Sequence, residues 1–301
     1  MYDIIIVGAG PAGLTAAIYA RRASKKVLVL EAKNYGGQII NTLDIENYPV
    51  ERHISGFDFA TKLYNQAKDL GAEIVFEKVI EIKDNKEKEV ITPKNKYTTK
   101  TIILATGSEN RKLGLDREDE LIGKGISYCA TCDGAFYKNK DVAVVGGGNT
   151  ALEDALYLSD IANKVYLIHR RDEFRGVETT LNLLKEKKNV EFIYNSNITK
   201  IISEDRLNSI EITNKDGSIK EINISGLFIA IGRIPENQNF EKIIKMDKAG
   251  YIIAGENCNT NIPGIFVAGD NRTKEVRQLV TATSDGAVSA TEAIKYINNK
   301  Q

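Results

Sequence analysis

Two cysteines separated by two residues are the most reactive feature of this chain of 301 residues. Cys129 and Cys132 lie in the segment CATCD, and Asp133 follows them directly. Such a pair is typical of a redox-active dithiol or of half a zinc site. A zinc site needs a second pair of ligands, and the remaining cysteine, Cys258, and the 2 histidines are scattered along the chain. We therefore predict a redox pair, with one sulfur attacking as a thiolate and the other resolving the mixed disulfide, and no metal site.

Asp133 has two possible roles beside this dithiol. Its carboxyl group is suited to moving protons to and from the two thiols. Local sequence fits equally well with a side chain that caps a helix before Gly134. Both roles stay open, and Asp133 is a candidate catalytic residue.

Two glycine-rich turns flank the dithiol in sequence. GAGPAG at residues 8–13 follows the apolar run YDIIIV, and GGGNTA at residues 146–151 follows DVAVV. Each turn also precedes a helical pattern. In that context glycines allow a tight turn, let the backbone approach a pyrophosphate and direct a helix N-terminus at its charge. Two dinucleotide sites with a dithiol between them indicate an electron relay.

The residue that ends the next strand distinguishes the two sites. Glu31 follows Gly8 by 23 residues, and His169 follows Gly146 by the same 23. An acidic side chain at this place accepts hydrogen bonds from ribose hydroxyls and repels a 2′-phosphate. The first site therefore suits FAD or NAD.

Basic residues surround the corresponding place in the second site. His169 is followed by Arg170 and Arg171, and Arg175 comes four residues after Arg171. Such a run is usually a solvated charged face. After a strand of a dinucleotide-binding unit, however, planar guanidinium groups match the oxygens of a 2′-phosphate. The second site is therefore predicted to take NADPH.

Composition excludes several other classes of protein. Lys and Arg together number 41, as do Asp and Glu, so no net charge points to nucleic acid or a membrane. The 3 cysteines, the lack of a leader before the first strand and the lack of a long apolar run predict a reducing cytoplasm.

The predicted fold class is α/β, with two Rossmann-like three-layer dinucleotide-binding domains. We expect residues 1–111 to begin the FAD domain, residues 112–235 to form the NADPH domain with the dithiol, and residues 236–301 to complete the FAD domain. The segment 263–299 offers one strand and one helix, which is too little to fold alone. It must rejoin the first domain, so the NADPH domain is an insertion.

At this point the chain resembles the low-molecular-weight, bacterial-type thioredoxin reductases, which are class II pyridine nucleotide-disulfide oxidoreductases. The resemblance runs nearly end to end, and CATCDG is its most specific part. The motifs are GAGPAGLTAAIYARR from residue 8, GGQ from 36, ENYP from 46, ATG from 105, SYCATCDG from 127, VVGGGNTALEDA from 144, HRRDEFR from 169, GIFVAGD from 264, and Arg277 with Gln278.

The resemblance implies which residues bind each cofactor. Residues expected at FAD are Gly8, Gly10, Pro11, Ala12, Gly13, Glu31, Gly37, Gln38, Asn47, Ala105, Thr106, Gly107, Gly269, Asp270, Arg277 and Gln278. Residues expected at NADPH are Gly146, Gly148, Asn149, Thr150, Ala151, His169, Arg170, Arg171 and Arg175.

The resemblance also implies an activity. Hydride passes from NADPH to FAD, electrons then open the Cys129–Cys132 disulfide, and Cys129 attacks thioredoxin or a thioredoxin-like protein, with Cys132 nearer the flavin. A homodimer is expected. A dithiol oxidase or a ferredoxin-driven relative shares this scaffold, but neither needs an arginine-lined NADPH site. A non-enzymatic dinucleotide or redox sensor does not need both cysteines.

Two segments depart from the family pattern. The family glycine after ENYP is replaced by Val50, and the loop over residues 49–56 is shorter. The familiar TAAGDGA reads TATSDGA, which adds the hydroxyls of Thr283 and Ser284 near the expected flavin.

Overall fold

The computed structural model describes residues 1–42 and 44–299. Its chain divides into two compact units, one formed by Met1–Glu109 with Ile234–Gln301 and the other by Asn110–Arg233. The last two residues of the first unit lie outside the described part. The second unit is thus inserted into the first in sequence, and the cofactor that each unit binds stays a prediction.

Both units contain helices and strands. In chain order they are β1 (Tyr2–Val7), α1 (Pro11–Arg22), β2 (Val27–Leu30), α2 (Gly56–Asp69), β3 (Glu73–Val75), β4 (Glu81–Asp84), β5 (Lys88–Ile91), β6 (Lys96–Leu104), β7 (Ser108–Asn110), β8 (Ile126–Ser127), α3 (Ala130–Asp133), β9 (Asp141–Gly146), α4 (Asn149–Ser159), β10 (Lys164–Ile168), α5 (Glu178–Glu186), β11 (Val190–Ile193), β12 (Ser196–Ser203), β13 (Leu207–Asn214), β14 (Ile219–Asn223), β15 (Gly226–Ala230), β16 (Arg233–Pro235), β17 (Ile265–Val267) and α6 (Leu279–Asn299).

The first unit is built on one sheet in the order β3-β2-β1-β6-β5-β4, with β17 also paired to β6. Strands β3, β2, β1, β6 and β17 are parallel, and β5 and β4 are antiparallel. Alternate side chains of a strand face opposite sides of a sheet. Accordingly Ile4 packs with residues of α1 and α6 such as Leu14 and Ala290, whereas Ile5 packs with Phe240 and Ile252. The sheet is therefore covered on both faces.

The second unit repeats this arrangement with a different cover. Its parallel sheet has the order β11-β10-β9-β15-β8, and β12, β13 and β14 form a separate antiparallel sheet. Val144 of β9 packs with Leu152 of α4, and the adjacent Val145 packs with Ile210 and Ile222 of the antiparallel sheet. One face is covered by helix and the other by strands.

The predicted α/β fold class is confirmed, with local differences. Helix α2 is capped by Ser55, whose Oγ accepts the N–H of Asp58 at 3.0 Å. The sequence predicts two short strands over residues 96–98 and 101–105, whereas the structure has one continuous strand there, β6 (Lys96–Leu104). Strands β3, β7, β8, β14 and β16 and helix α5 were not predicted from the sequence. No helix in the described part of the chain is long and apolar enough to cross a membrane.

Candidate active site

The first glycine turn lies at the carboxyl edge of the first sheet. Val7, at the end of β1, is in register with Leu30 of β2 and Leu104 of β6. Gly8 adopts φ +110°, and a Cβ there would lie 2.3 Å from the carbonyl oxygen of Ala105. Only glycine allows this approach, since the neighbouring atom is backbone. The turn therefore enters α1 at the switch point of the sheet, where parallel α/β sheets bind ligands.

Glu31 holds this turn from the end of β2. One carboxylate oxygen accepts the N–H of Ala9 at 2.7 Å, and the other accepts the N–H of Lys33 at 2.8 Å. A carboxylate has about four acceptor positions, so two remain for ribose hydroxyls. The geometry supports the predicted role.

The GGQ segment runs beside the same turn. Gly36 donates its N–H to the carbonyl of Ala9 at 2.8 Å. A Cβ on Gly37 would lie 3.4 Å from the Cα of Gly10, so the two backbones approach closely. Gln38 is exposed beside them.

The returning C-terminal segment completes this edge. Strand β17 pairs with β6, with Val267 opposite Leu104. A Cβ on Gly269 would lie 3.0 Å from the Cβ of Ala12 in α1, which brings Asp270 to the first turn. Asp285 Oδ2 also accepts a hydrogen bond from the N–H of Gly269 at 2.9 Å.

Asp285 is the centre of a buried charge cluster, which comprises Asp285, Arg272 and Lys274. Arg272 donates to both carboxylate oxygens at 2.8 Å, and Lys274 donates at 2.9 Å. Burial alone would raise the pKa of Asp285, but these hydrogen bonds outweigh it and lower the pKa. Sequence analysis missed this cluster, which fixes the turn at Gly269.

The remaining expected flavin residues lie in the same unit. Asn47 donates to Gln278 at 3.3 Å, and Arg277 lies with its guanidinium carbon 4.3 Å from the centre of the Tyr251 ring. The buried Nε of Arg277 has no hydrogen-bond partner among the described residues. Thr106 donates to Asn237 at 3.0 Å. A buried, unpaired donor beside this edge fits a ligand such as a flavin that carries acceptor oxygens and nitrogens.

The second glycine turn reproduces the first. Gly146 has φ +158°, and a Cβ there would lie 2.3 Å from the carbonyl oxygen of Ala230 and 2.7 Å from the Cβ of Ala151. A Cβ on Gly148 would meet no heavy atom within 4 Å in the described residues. The open space at Gly148, directly before α4, fits a pyrophosphate group.

His169 lies beneath this turn, near enough to the arginines to be affected by their charge. A Cβ on Gly147 would lie 2.0 Å from the imidazole Cε1, and the ring stacks on Phe174 with centroids 5.1 Å apart. Burial lowers the pKa of His169, and the charges of Arg175, Arg171 and Arg170 lower it further. His169 therefore supports the turn as a neutral ring and adds no positive charge.

The three arginines are exposed on a loop that is tied to the turn. Arg175 donates its N–H to the carbonyl of Gly147 at 2.7 Å, and Asn149 Oδ1 accepts the N–H of Val177 at 2.9 Å. Arg170 and Arg171 precede this anchor. The loop thus carries three exposed arginines and is anchored to the turn, and their contact with the 2′-phosphate of NADPH stays a prediction.

The dithiol lies in the same unit as the second turn. Cys129 and Cys132 form a disulfide, with Cα atoms 5.3 Å apart. They flank the start of α3, where Cys132 and Asp133 donate their N–H groups to the carbonyl of Cys129 at 3.3 and 3.1 Å. The predicted pairing of these cysteines is present in the structure.

Asp133 is held by a residue that sequence analysis missed. Ser127 donates to its Oδ2 at 2.6 Å. Burial raises the pKa of Asp133 and outweighs this hydrogen bond, which lowers it. The Asp133 side chain makes no cap hydrogen bond to the described turn at Gly134–Tyr137. The capping alternative is therefore not supported, and proton transfer remains.

Comparison with known proteins decides the family. The family model described as pyridine nucleotide-disulphide oxidoreductase matches residues 2–286. The chain belongs to this family. Membership implies FAD and NADPH as cofactors, as the sequence predicted.

Several relatives of this chain within the disulphide oxidoreductase family are thioredoxin reductases. The chain is 43% identical over 300 residues to thioredoxin reductase of Listeria innocua serovar 6a, which covers 99% of this chain and 94% of that one. It is 40% identical over 304 residues to thioredoxin reductase of Bacillus subtilis strain 168, covering 100% and 96%. The crystal structure of thioredoxin reductase from Streptococcus pyogenes MGAS5005 matches with a TM-score of 0.95, 39% identity and 99% coverage of both chains.

A second acidic side chain, Asp154 of α4, contacts the dithiol segment of this disulphide oxidoreductase. It accepts the N–H of Ala130, the first residue of α3, and burial raises its pKa to about 7. The charge of Arg233 opposes this rise. Asp154 was not predicted from the sequence, although its place three residues after Ala151 and four before Leu158 puts it beside the apolar stripe of α4.

The other candidate ligand residues do not join the dithiol. Cys258 is buried in the first unit, and burial raises the pKa of its thiol to about 12. Asp44, Glu46 and His53 bring their ligand atoms within 4.8 Å of one another at the surface of the same unit. Exposed acidic groups commonly cluster without an ion, so this group does not alter the prediction of no metal.

Proposed function

We propose that this protein is an NADPH-dependent flavoprotein that reduces the disulfide of thioredoxin. One observation carries the proposal: the Cys129–Cys132 disulfide and its half-buried carboxyl neighbour, Asp133, lie in the same unit as a dinucleotide turn flanked by exposed arginines. Two full-length relatives named thioredoxin reductase support the partner.

The two turns support the placing of one cofactor in each unit. FAD, when bound, supplies the transfer of two electrons from the hydride of NADPH to a disulfide. The first turn, with Glu31 at the end of β2, suits an adenosine without a 2′-phosphate. The second turn, beside Arg170 and Arg175, suits NADPH.

The dithiol then acts on the partner through its own sulfurs. Cys129 attacks the thioredoxin disulfide, and Cys132 resolves the mixed disulfide. Asp133 carries the proton between a leaving thiolate and the remaining thiol. Burial, which raises the pKa of Asp133, favours a protonated carboxyl group at higher pH than usual.

The homodimer and the reducing cytoplasm stay predictions. The family resemblance and the 3 cysteines support them. Light scattering of the purified protein tests the first, with a mass of about twice 33.3 kDa as the expected result.

An anaerobic titration tests the activity. NADPH should bleach the bound flavin, and oxidised thioredoxin should then restore its colour with release of two thiols per turnover. A dithiol oxidase would be reoxidised by oxygen and not need NADPH. A ferredoxin-driven relative would show no bleaching with NADPH, and a sensor would bleach without turnover.

Single cysteine variants test the division of labour in the dithiol. Both Cys129→Ser and Cys132→Ser should lose turnover. With only Cys129 left, Cys132→Ser should trap thioredoxin as a stable mixed disulfide, because no resolving thiol remains. Trapping by Cys129→Ser in place of Cys132→Ser would exchange the two roles.

A further inference from the structure

Ser127 connects the dithiol backbone to Asp133. It is the last residue of β8, is 3% exposed and lies opposite Phe228 of β15. Its Oγ accepts the N–H of Cys129 at 3.0 Å and lies 2.6 Å from Asp133 Oδ2. The carbonyl oxygen of Cys129 is 3.3 Å away. One hydroxyl therefore has three partners, all within or next to the dithiol segment.

These partners fit both charge states of Asp133. A hydroxyl has one proton and two acceptor positions. When Asp133 is ionised, Ser127 donates to it and accepts from the Cys129 N–H. When Asp133 is protonated, the acid donates to Ser127, whose own proton turns to the carbonyl of Cys129. Every one of these polar groups keeps a partner in both states.

We propose that Ser127 is a positioning residue that lets Asp133 hold and release a proton beside the dithiol without leaving a buried polar group unpaired. The proposal rests on the proposed function of Asp133. A buried polar group that loses its partner is costly, so a side chain that serves both states makes the proton transfer reversible.

The proton and electron balance of the exchange uses Asp133 twice. The Cys129 thiolate bonds to one sulfur of the partner disulfide, whose S–S bond breaks, and the leaving thiolate takes the proton of Asp133. The Cys132 thiol then gives its proton to the Asp133 carboxylate and bonds to the Cys129 sulfur, which breaks the mixed disulfide between Cys129 and the partner. The partner sulfur released from Cys129 leaves as a thiolate and takes a proton from water. The enzyme dithiol loses two electrons and the partner disulfide gains them.

Other charged or titratable groups lie around this segment, and the test must distinguish their titration from that of Asp133. Helix α3 packs against α4 and the turn at Gly134–Tyr137. From α4, Asp154 receives the Ala130 N–H, with Glu153 and Arg233 near it. From the turn comes Tyr137, which feels the charge of Asp133 and also that of Arg206. Tyr128, next to Ser127, donates to Glu118 at 2.7 Å.

The test measures alkylation of Cys129 by iodoacetamide across pH in the reduced, FAD-loaded protein, without NADPH or thioredoxin. Ser127 stabilises the ionised form of Asp133, so Ser127→Ala should shift the Asp133-linked inflection upward by about one pH unit, the size of one charged hydrogen bond. Ser127→Thr should retain the original profile. Ser209→Ala is a matched control, since Ser209 is also buried and donates to a carboxylate, Glu221, in the same unit.

A second pair of variants keeps the test decisive if Ser127→Ala does not fold. Ser127→Thr and Ser127→Val have the same shape and differ only in the hydroxyl, so only Val should shift the profile. Identical Thr and Val profiles would overturn the proposal. In an Asp133→Asn background the substitution at Ser127 should have no further effect; an equal shift there would assign the titration to Asp154 and also overturn it. Absence of thioredoxin reduction in the unsubstituted protein would refute the proposed function while leaving these profiles readable.

Discussion

The two compact units build the same strand, glycine turn and helix, and they finish the turn in different ways. In both, a Cβ on the first glycine, Gly8 or Gly146, would lie 2.3 Å from a carbonyl oxygen of the neighbouring strand end, Ala105 or Ala230. The close packing of these strand ends thus dictates glycine in each unit. This shared backbone explains why the same motif spacing occurs twice in the sequence.

The residue at the end of the next strand decides whether the second position of the turn has space for a side chain. Glu31 receives the N–H of the second turn residue, Ala9, so a methyl group is accommodated there. His169 instead places its ring against the corresponding Gly147, where a methyl group would collide. An acid binds the turn through its backbone, whereas an imidazole fills the space beneath it.

The two units also place their charges differently. The first buries Arg272, Lys274 and Asp285 beneath the Gly269 turn. The second leaves Arg170 and Arg175 exposed on a loop. Buried charges that satisfy one another fix a backbone, whereas exposed guanidinium groups remain available to a ligand.

Asp285→Asn should have the largest effect on this comparison. Removing the anion leaves Arg272 and Lys274 buried without their partner, which costs about 3–5 kcal/mol of unfolding free energy. Glu256→Gln is the matched control, because Glu256 lies 3.5 Å from the same Arg272 but its side chain is 97% exposed. It should change stability by less than about 1 kcal/mol. Urea unfolding followed by circular dichroism measures both.

Acid should expose the same interaction without substitution. The pKa of Asp285 lies below its ordinary value of 3.8 in the folded protein, so its stabilisation is present above that pH and lost as pH falls through the lower, folded-state value. Asp285→Asn should therefore lose less stability than the unsubstituted protein between about pH 4 and the onset of acid unfolding. Parallel acid profiles would show that the cluster is not the source of this stability.

The double substitution Arg170→Ala with Arg175→Ala should weaken NADPH binding by about 3 kcal/mol, or about two orders of magnitude in Kd. NADH binding should change little, because NADH lacks the 2′-phosphate. Titration of each coenzyme by fluorescence measures this. Lys200→Ala with Lys215→Ala removes two exposed charges from the same unit and should affect both coenzymes equally little. Equal losses with NADPH and NADH in the arginine variant would contradict the assignment.

Local sequence was sufficient for the turns but not for the groups that support them. The offset from Gly8 to Glu31 and from Gly146 to His169 reflects one strand-helix-strand length, so it is visible along the chain. The partnership of Ser127 with Asp133 depends on β8, whose two residues are too few for any periodic pattern.

Contacts between separate elements also explain why other features of the structure were not predicted from the sequence. The Arg272 and Asp285 side chains meet only because α6 returns beside β17. Strand β14 reads IKEIN and has mostly exposed side chains, so hydrophobic alternation does not reveal it. Burial of His169, which removes it from the charged cluster, likewise follows from the ring packing on Gly147 and Phe174.

Gly147→Ala should test the difference in how the two turns are supported. The added methyl group would collide with the His169 ring, which Phe174 holds from its other side, and should cost about 2 kcal/mol. Gly148→Ala is the matched control, since its methyl group meets open space; it should leave stability nearly unchanged and weaken NADPH binding. Adding His169→Ala to Gly147→Ala should recover part of the loss. Without such recovery, the ring does not determine the residue at this turn.

Val50→Gly should have the smallest effect, and it should stabilise the first unit. Glu51 donates its N–H to the carbonyl of Tyr48 at 3.2 Å, which closes a turn with Pro49 second and Val50 third. Val50 has φ +83°, the conformation that favours glycine at the third place of a type II turn. A β-branched residue is strained there, and its full exposure means that its side chain buries nothing. Removing this strain stabilises the folded chain by about 1–2 kcal/mol. The greater freedom of glycine in the unfolded chain offsets part of that gain, so a net stabilisation of about 1 kcal/mol is expected.

The matched control for this turn is Val276→Gly. Val276 is also an exposed valine of the first unit, but it is not one of the residues with positive φ. Without strain to relieve, it should lose about 0.5–1 kcal/mol through the unfolded chain. Urea midpoints of the two variants should therefore move in opposite directions from the unsubstituted protein. Movement of both midpoints to lower urea would mean that the Tyr48 turn adopts another geometry in solution. A gain in stability from Val50→Gly would instead show that valine at this position costs stability. At Gly8, by contrast, the neighbouring backbone atoms leave no space for a side chain, so glycine is required there.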